Sequence, residues 1–274
     1  MANHPSSHDA SYSLQQELSD KVYWHGYVPF YEQFFQDRSF KNIAEFGVFQ
    51  GNSIRWFLKR FPNAKIYGAD ILTLQSNWPV DERFHFTQLD QGNSEQVRKF
   101  LNQADFDLIL EDGSHFPHHQ VSCLIEGLKV LRSGGMYILE DIQTARKDHA
   151  WWNESIHFWK LLKKLRYQKF VSSQQLDHGN ALHALLAIQH YQRIGKAVDA
   201  QIIEKIAQKS ILRPEDIAFL FESIDQIHFY QRSNLPDFCH KCGSVDYQFS
   251  DLKCQCGEAI FSDADSMAFV ILKK

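Results

Sequence analysis

Short apolar runs alternate with polar, glycine-containing breaks over residues 42–144, and longer stretches of helical periodicity follow. Residues 42–70 read NIAEFGVFQGNSIRWFLKRFPNAKIYGAD. A short apolar run ends at Glu45, and a small-residue loop with Gly47, Gly51, Asn52 and Ser53 comes next. Ile54, Trp56, Phe57 and Leu58 then carry a helical pattern, which Pro62 and Asn63 break. A second strand, 65–68, leads to Asp70. Strand, glycine loop, helix, strand and acid make the first unit of an open α/β sheet, which binds ligands outside the carboxyl ends of its strands. Two more apolar runs, DFDLILEDGSH at 105–115 and GGMYILEDIQT at 134–144, each end in two acids. Residues 145–223 read as mostly helical. In WWNESIHFWKLLKKLRYQKF, apolar residues recur at helical spacing beside a basic cluster of Lys160, Lys163, Lys164, Arg166 and Lys169, best read as a solvated face. The run ALHALLAIQHYQRIGKAVDAQIIEKIAQ has no proline and predicts one or two further helices. DQIHFYQRS and SMAFVILKK then predict two late strands.

The loop chemistry narrows the ligand. Gly47 and Gly51 form GxxxG rather than GxGxxG, and no GK[ST] is present to cradle a triphosphate. Such a loop suits a cofactor without phosphate. Asp70 is placed to accept hydrogen bonds from ribose hydroxyls, and Glu45 with Asp70 supplies negative charge for a cationic amino-acid end. S-adenosylmethionine fits that description; an ordinary glycine turn also fits these residues taken alone. Consecutive parallel strands place Asp112, Glu140 and Asp141 at the same rim as the glycine loop. Clustered carboxylates suit a hard cation, so these three form a candidate octahedral Mg²⁺ site. A single strand-end acid pair is more often a helix cap or solvated loop; two pairs beside one nucleotide loop favour the metal.

With these motifs in order, the chain resembles the class I S-adenosylmethionine-dependent methyltransferases related to macrolide-sugar O-methyltransferases and cephalosporin-hydroxylase-like proteins. The matching segments are SDKVYWHGYVPFYEQF (19–34), AEFGVFQGNSIRWFLKRFPNAKIYGADI (44–71), LDQGN (89–93), LILEDGSHFPHHQ (108–120) and GGMYILEDIQT. The resemblance implies a Rossmann-like, seven-stranded, mostly parallel sheet with flanking helices. It implies that Glu45, Gly47, Gly51 and Ser53 line the methionine end, that Asp70 holds the ribose, and that Asp90 and Gln91 flank the adenine. Asp112, Glu140 and Asp141 would hold Mg²⁺, while His25, Tyr27 and Tyr31 close over the cofactor or substrate. Many relatives carry ED-x-H-T, with that histidine as the base. Here the position is Gln143, whose amide takes no proton at neutral pH. His115 is the substitute base to test, with His119 behind it. The implied reaction is methyl transfer to a hydroxyl of a sugar or glycosylated small molecule. A noncatalytic cofactor-binding role and a hydroxylase-like role remain as alternatives.

The cysteines add a second metal. Cys239 and Cys242 lie in CHKCG and Cys254 and Cys256 in CQCG, eleven residues apart. Four soft ligands at this spacing predict tetrahedral structural Zn²⁺, with a redox pair or disulfide as the alternative; Cys123 sits among apolar neighbours and reads as core. The expected organisation is a tail over 1–18, a methyltransferase core over 19–234 with a helical addition at 145–223, a zinc ribbon at 235–262 inserted between the last two strands, and a final strand at 263–274. A hydrophobic content of 44% argues against disorder, and a net charge of −4 gives no pull toward nucleic acid or anionic membrane. No apolar run is long enough to span a bilayer, and the N-terminus lacks an apolar signal region. These features predict a cytoplasmic enzyme acting on a small molecule, with homo-oligomerisation open.

Overall fold

The computed structural model describes residues 19–145, 181–232, 235, 238–239, 241–251, 253–258 and 266–274. The tail, Trp151, Trp152, the basic cluster at 160–169 and His178 lie outside the described residues, as does the Tyr23 side chain. In chain order the elements are α1 (Asp20–Tyr23), α2 (Tyr27–Phe35), β1 (Asn42–Phe46), α3 (Asn52–Arg60), β2 (Lys65–Asp70), β3 (Phe84–Gln88), α4 (Ser94–Leu101), β4 (Leu108–Glu111), α5 (Pro117–Val130) and β5 (Met136–Leu139). After a 3₁₀ turn at Ile142–Ala145 come α6 (Ala181–Ile194), α7 (Ala200–Ala207), α8 (Pro214–Ser223), β6 (Ile224–Gln231), β7 (Tyr247–Gln248), β8 (Lys253–Cys254) and β9 (Met267–Lys273).

Seven strands form one sheet in the order β3-β2-β1-β4-β5-β9-β6. The first five are parallel; β9 runs antiparallel to both neighbours. The sheet is therefore the Rossmann-like, mostly parallel one expected. Chain order reverses between β1 and β4, so the loops after these strands open at the switch point where such sheets bind ligands. Proline-free 181–207 does give two helices, separated at Gly195, whose φ of +63° suits a residue without a Cβ. The β7–β8 hairpin forms its own two-stranded sheet between β6 and β9. No helix among the described residues is long and apolar enough to cross a membrane.

Period-two alternation divides the core. Ile43, Leu108, Leu110, Met136 and Ile138 face α2 and α3, in a cluster with Tyr27, Tyr31, Phe35, Trp56 and Phe57. Ala44, Phe46, Ile109, Tyr137 and Leu139 face the other layer, with Phe100, Leu124, Leu185, Ile217 and Leu220. The same alternation sends adjacent strand-end acids in opposite directions. Glu45 and Glu140 share the α2–α3 face, whereas Glu111 enters the other layer beside Gln91 and Cys123.

One ion pair binds α2 to α3. Arg60 donates from Nε and a terminal nitrogen to the two oxygens of Glu32 at 3.0 and 2.9 Å, with the side chains 5% and 2% exposed. Arg60→Met strands a buried carboxylate and should cost about 3–5 kcal/mol in urea unfolding, while Arg60→Met with Glu32→Leu should recover most of the loss. Equal losses in the single and double variants would show that the pair is not the source of the stability.

Candidate active site

β1 ends in a loop that only glycine can enter. Gly47 has φ +92°, and a Cβ there would lie 1.9 Å from the Asp112 carbonyl oxygen. The loop thus lies against the end of β4, with its turn closed by Gly51 N–H on the Val48 carbonyl at 2.7 Å. Gly51, at φ +75°, caps α3, whose first turn buries Ser53.

Glu45 is fully buried, and among the described residues neither carboxylate oxygen makes a well-formed hydrogen bond, although the Ser53 hydroxyl lies near enough to favour the ionised form. Burial pushes its pKa up from 4.5 to about 8, against the pull of Lys21. An unpaired buried carboxyl is costly unless something cationic meets it. Together with the loop that a Cβ would fill, it fits the ammonium end of S-adenosylmethionine.

Asp70 is more committed than its expected role requires. Its Oδ2 accepts from the N–H groups of Val48 and Phe49 at 2.8 Å each, and Oδ1 accepts from Leu72 N–H at 2.9 Å. Three of roughly four acceptor positions are taken. Asp70 therefore shapes the loop and keeps little capacity for ribose. Asp90 caps its own turn through Gly92 N–H at 2.8 Å. Gln91 points inward, donating to Glu111 at 2.7 Å and accepting from Ser114 N–H at 2.7 Å. Glu111 is fully buried, and burial raises it to about 7.

The carboxyl ends of β4 and β5 bring Asp112, His115 and Asp141 together, with ligand atoms within 4.8 Å of one another. His115 Nε2 lies 4.0 Å from Asp112 Oδ1 and 3.8 Å from Asp141 Oδ2. The other oxygen of each acid is anchored. Asp141 Oδ1 accepts from the Tyr27 hydroxyl at 2.6 Å and Gln143 Nε2 at 2.9 Å, and Asp112 Oδ2 accepts from Lys21 Nζ. Against burial, the neighbouring His25 and His115 and these two donors hold Asp141 below its usual range. His115 and Asp141 both take positive φ, +57° and +52°, as does Phe49 at +46° in the glycine loop. Non-glycine residues there store about 1–3 kcal/mol each and persist where surrounding contacts fix them, often at functional sites.

Glu140 lies beside this trio, linked to Asp112 through Lys21. Its Oε2 accepts from Lys21 Nζ at 2.6 Å, and burial, with Asp112 nearby, pushes it well above the usual range. Gln143 is buried; its amide carries Asp141 on one side and accepts from Met267 N–H at 2.8 Å on the other. His119 lies apart from the acids. Its Nδ1 meets Ser114 Oγ at 2.7 Å, and burial, with His118 adjacent, lowers it to about 3, so it stays neutral. Tyr31 is buried and stacked on Tyr27, ring centroids 5.9 Å apart, while His25 also stacks on Tyr27 at 5.0 Å and meets Ser266 Oγ at 2.7 Å. Lys21 lay in the quoted N-terminal motif, but nothing in its spacing pointed to partners 91 and 119 residues away.

The four ribbon cysteines also converge. Cys239 and Cys256 sulfurs lie 3.8 Å apart, and those of Cys242 and Cys254 lie 3.4 Å apart, without disulfides. Each knuckle closes through a glycine N–H on the carbonyl of its first cysteine, Gly243 on Cys239 at 2.7 Å across four residues and Gly257 on Cys254 at 2.8 Å across three, with φ of +71° and +86°.

Residues 44–142 match a family model described as a methyltransferase domain. An 8-demethyl-8-(2-methoxy-alpha-L-rhamnosyl)-tetracenomycin-C 3'-O-methyltransferase from Streptomyces olivaceus is 27% identical over 191 residues, 62% of this chain and 48% of that protein. A mycinamicin VI 2''-O-methyltransferase from Micromonospora griseorubida is 31% identical over 134 residues, 44% of this chain and 32% of its own length. The chain thus spans about half or less of these relatives. Among solved structures, the MycE methyltransferase in complex with Mg, SAH and mycinamycin VI superposes with a TM-score of 0.58 at 19% identity, covering 99% of this chain and 55% of that one. Residues 44–142 thus match a methyltransferase-domain model, the chain shares a Rossmann-like fold with the MycE methyltransferase, and its sequence is similar to those of sugar O-methyltransferases.

Proposed function

We propose that the chain is an S-adenosylmethionine- and Mg²⁺-dependent O-methyltransferase acting on a hydroxyl of a sugar or glycosylated small molecule. The observation that carries this reading is a cluster of carboxyl groups at one rim. Glu45 lies buried beside the Gly47 loop, and Asp112 and Asp141 each anchor one oxygen and turn the other toward His115. The relatives named for sugar O-methylation support the acceptor class.

Glu45 and the Gly47–Ser53 turn would bind the methionine end, while Asp70 keeps that turn in shape. When bound, S-adenosylmethionine would supply a sulfonium-activated methyl group for the acceptor oxygen, with S-adenosylhomocysteine as the leaving product. Asp112 and Asp141 would hold a divalent ion, with Glu140 within the same acid cluster; the ion supplies Lewis acidity that eases loss of the hydroxyl proton. His115 receives that proton at Nε2, the nitrogen facing both carboxylates. Tyr27 and Gln143 keep Asp141 oriented; Gln143 is a strut rather than a base. The four cysteines would hold structural Zn²⁺, because sulfurs 3.4–3.8 Å apart match the edge of a tetrahedron with metal–sulfur bonds of about 2.3 Å.

Methyl transfer to glycosylated acceptors should be abolished by EDTA and restored by Mg²⁺, with S-adenosylhomocysteine still bound. His115→Ala should then lower turnover by roughly 10²–10⁴-fold with Mg²⁺ affinity unchanged. A large loss of Mg²⁺ affinity would instead make His115 a ligand, a reading its closeness to both carboxylates also suits. His119→Ala, already neutral, should leave the pH–rate profile in place.

Glu45 gives a pH signature. Its folded value, about 8, exceeds the ordinary 4.5, so the fold binds this proton more tightly than the unfolded chain does. Its contribution to stability is full below 4.5 and is lost as pH rises toward about 8. Glu45→Gln should remove that decline in urea unfolding. Pairing with the cofactor ammonium requires the ionised form, so S-adenosylhomocysteine binding at neutral pH should release about one proton, seen by calorimetry in buffers of different ionisation enthalpy. Proton-neutral binding in the native chain would remove Glu45 from the ammonium site.

Metal analysis of purified protein should give about one Zn²⁺ per chain. Cys254→Ser should lower thermal stability far more than cofactor affinity. Zinc-free protein with four titratable thiols in this segment would overturn the assignment.

A further inference from the structure

Lys21 occupies a position that neither the methyl-transfer chemistry nor the zinc ribbon accounts for. It lies on α1, is 4% exposed, and places its ammonium between Asp112 Oδ2 and Glu140 Oε2. A lysine buried this deeply is held by its charge partners. Both partners belong to the acids that would serve a divalent ion. Among the described residues Lys21 is the cation bonded to the Glu140 carboxylate, with the Tyr31 hydroxyl beside it.

We propose that Lys21 is a tethered cation that competes with the divalent ion for Asp112 and Glu140, setting the ion affinity of the site. The inference rests on the metal reading above. An ammonium has three donors and no lone pair, so it cannot join an ion's ligand shell; it can only share or surrender the carboxylates. Two cations on the same acids repel strongly in a buried setting, where water does not screen them. For Glu140 to turn to an ion, the ammonium must withdraw.

Its withdrawal has a defined structural cost. α1 is one turn, closed by the N–H groups of Trp24 and His25 on the Asp20 carbonyl at 3.0 and 2.9 Å. On its far side it is held by Arg232, which lies over the Trp24 ring at 5.1 Å and donates to the Trp24 carbonyl. Lys21 can therefore leave the acids by opening that one turn while Trp24 stays docked. α1 is thus the element that must yield when the ion enters.

The test is calorimetric titration of the full chain with Mg²⁺, without cofactor or acceptor, combined with amide exchange over residues 19–26. Lys21→Met keeps the length of the side chain and removes its charge. It should bind Mg²⁺ about tenfold or more tightly than the native chain, whereas Lys21→Arg, which keeps the charge, should gain nothing. In the native chain Mg²⁺ should speed exchange at Trp24 and His25; in Lys21→Met exchange there should be fast with or without the ion. Equal or weaker Mg²⁺ binding by Lys21→Met, with near-ultraviolet dichroism showing a packed fold, overturns the proposal and leaves Lys21 a structural clamp. If Lys21→Met loses its packed fold, Mg²⁺-independent exchange at Trp24 and His25 in the native chain overturns it alone. If no variant binds Mg²⁺, the metal reading fails together with it; if all bind alike, the metal reading stands and Lys21 does not compete.

Discussion

Four carboxyl groups, those of Glu45, Asp112, Glu140 and Asp141, crowd one buried rim of the sheet, and the permanent cation among them is Lys21. That imbalance is the constraint to which the surrounding structure responds. Left alone, burial drives Glu45, Asp112 and Glu140 toward their protonated forms. Only Asp141 stays firmly ionised, because two histidines, a phenol and an amide surround it. The rim is therefore built to accept positive charge.

Everything that frames the rim comes from distant parts of the chain. Segment 21–31 contributes Lys21, His25, Tyr27 and Tyr31; the loops after β1, β4 and β5 contribute the acids; the start of β9 contributes Ser266 and Met267. Aromatic stacking between His25, Tyr27 and Tyr31 gives the N-terminal segment a rigid face, so the Tyr27 hydroxyl is delivered to Asp141 with little conformational freedom left to lose. Backbone conformations with positive φ at His115 and Asp141 are tolerated because these contacts over-determine them.

Much of this was legible in the sequence where local rules suffice. The strand–loop–helix–strand unit over 42–70, the two acid-ended strands and the late strand pair follow from periodicity and glycine placement, and the structure has each of them. The opposite orientation of Glu111, which enters the layer of Gln91 and Cys123 while Asp112 reaches the rim, was not drawn from the sequence. Tertiary partnerships were not readable. Asp70 has the sequence position of a ribose ligand, yet its carboxylate is mostly spent on loop amides. Gln91 lies in a motif that implied adenine contact, yet its amide bridges Glu111 and Ser114. In each case a polar side chain is claimed by backbone or buried acid that no spacing rule could reveal. β3, with its half-exposed edge-strand pattern, carries the weakest periodic signal of the sheet.

The two ends of the cysteine-bearing segment are joined by a single rung, Arg232 N–H on the Ser266 carbonyl at 2.9 Å, and both ends bond to the active-site wall through Trp24 and His25. A segment whose ends already meet behaves as a cassette. Whatever is spliced between residues 232 and 266 leaves the sheet register of β6 and β9 untouched, provided its own ends close over the same short gap. This makes the rung a natural graft point: cassettes of different length or metal content could be exchanged there while the strand pairing behind them is kept.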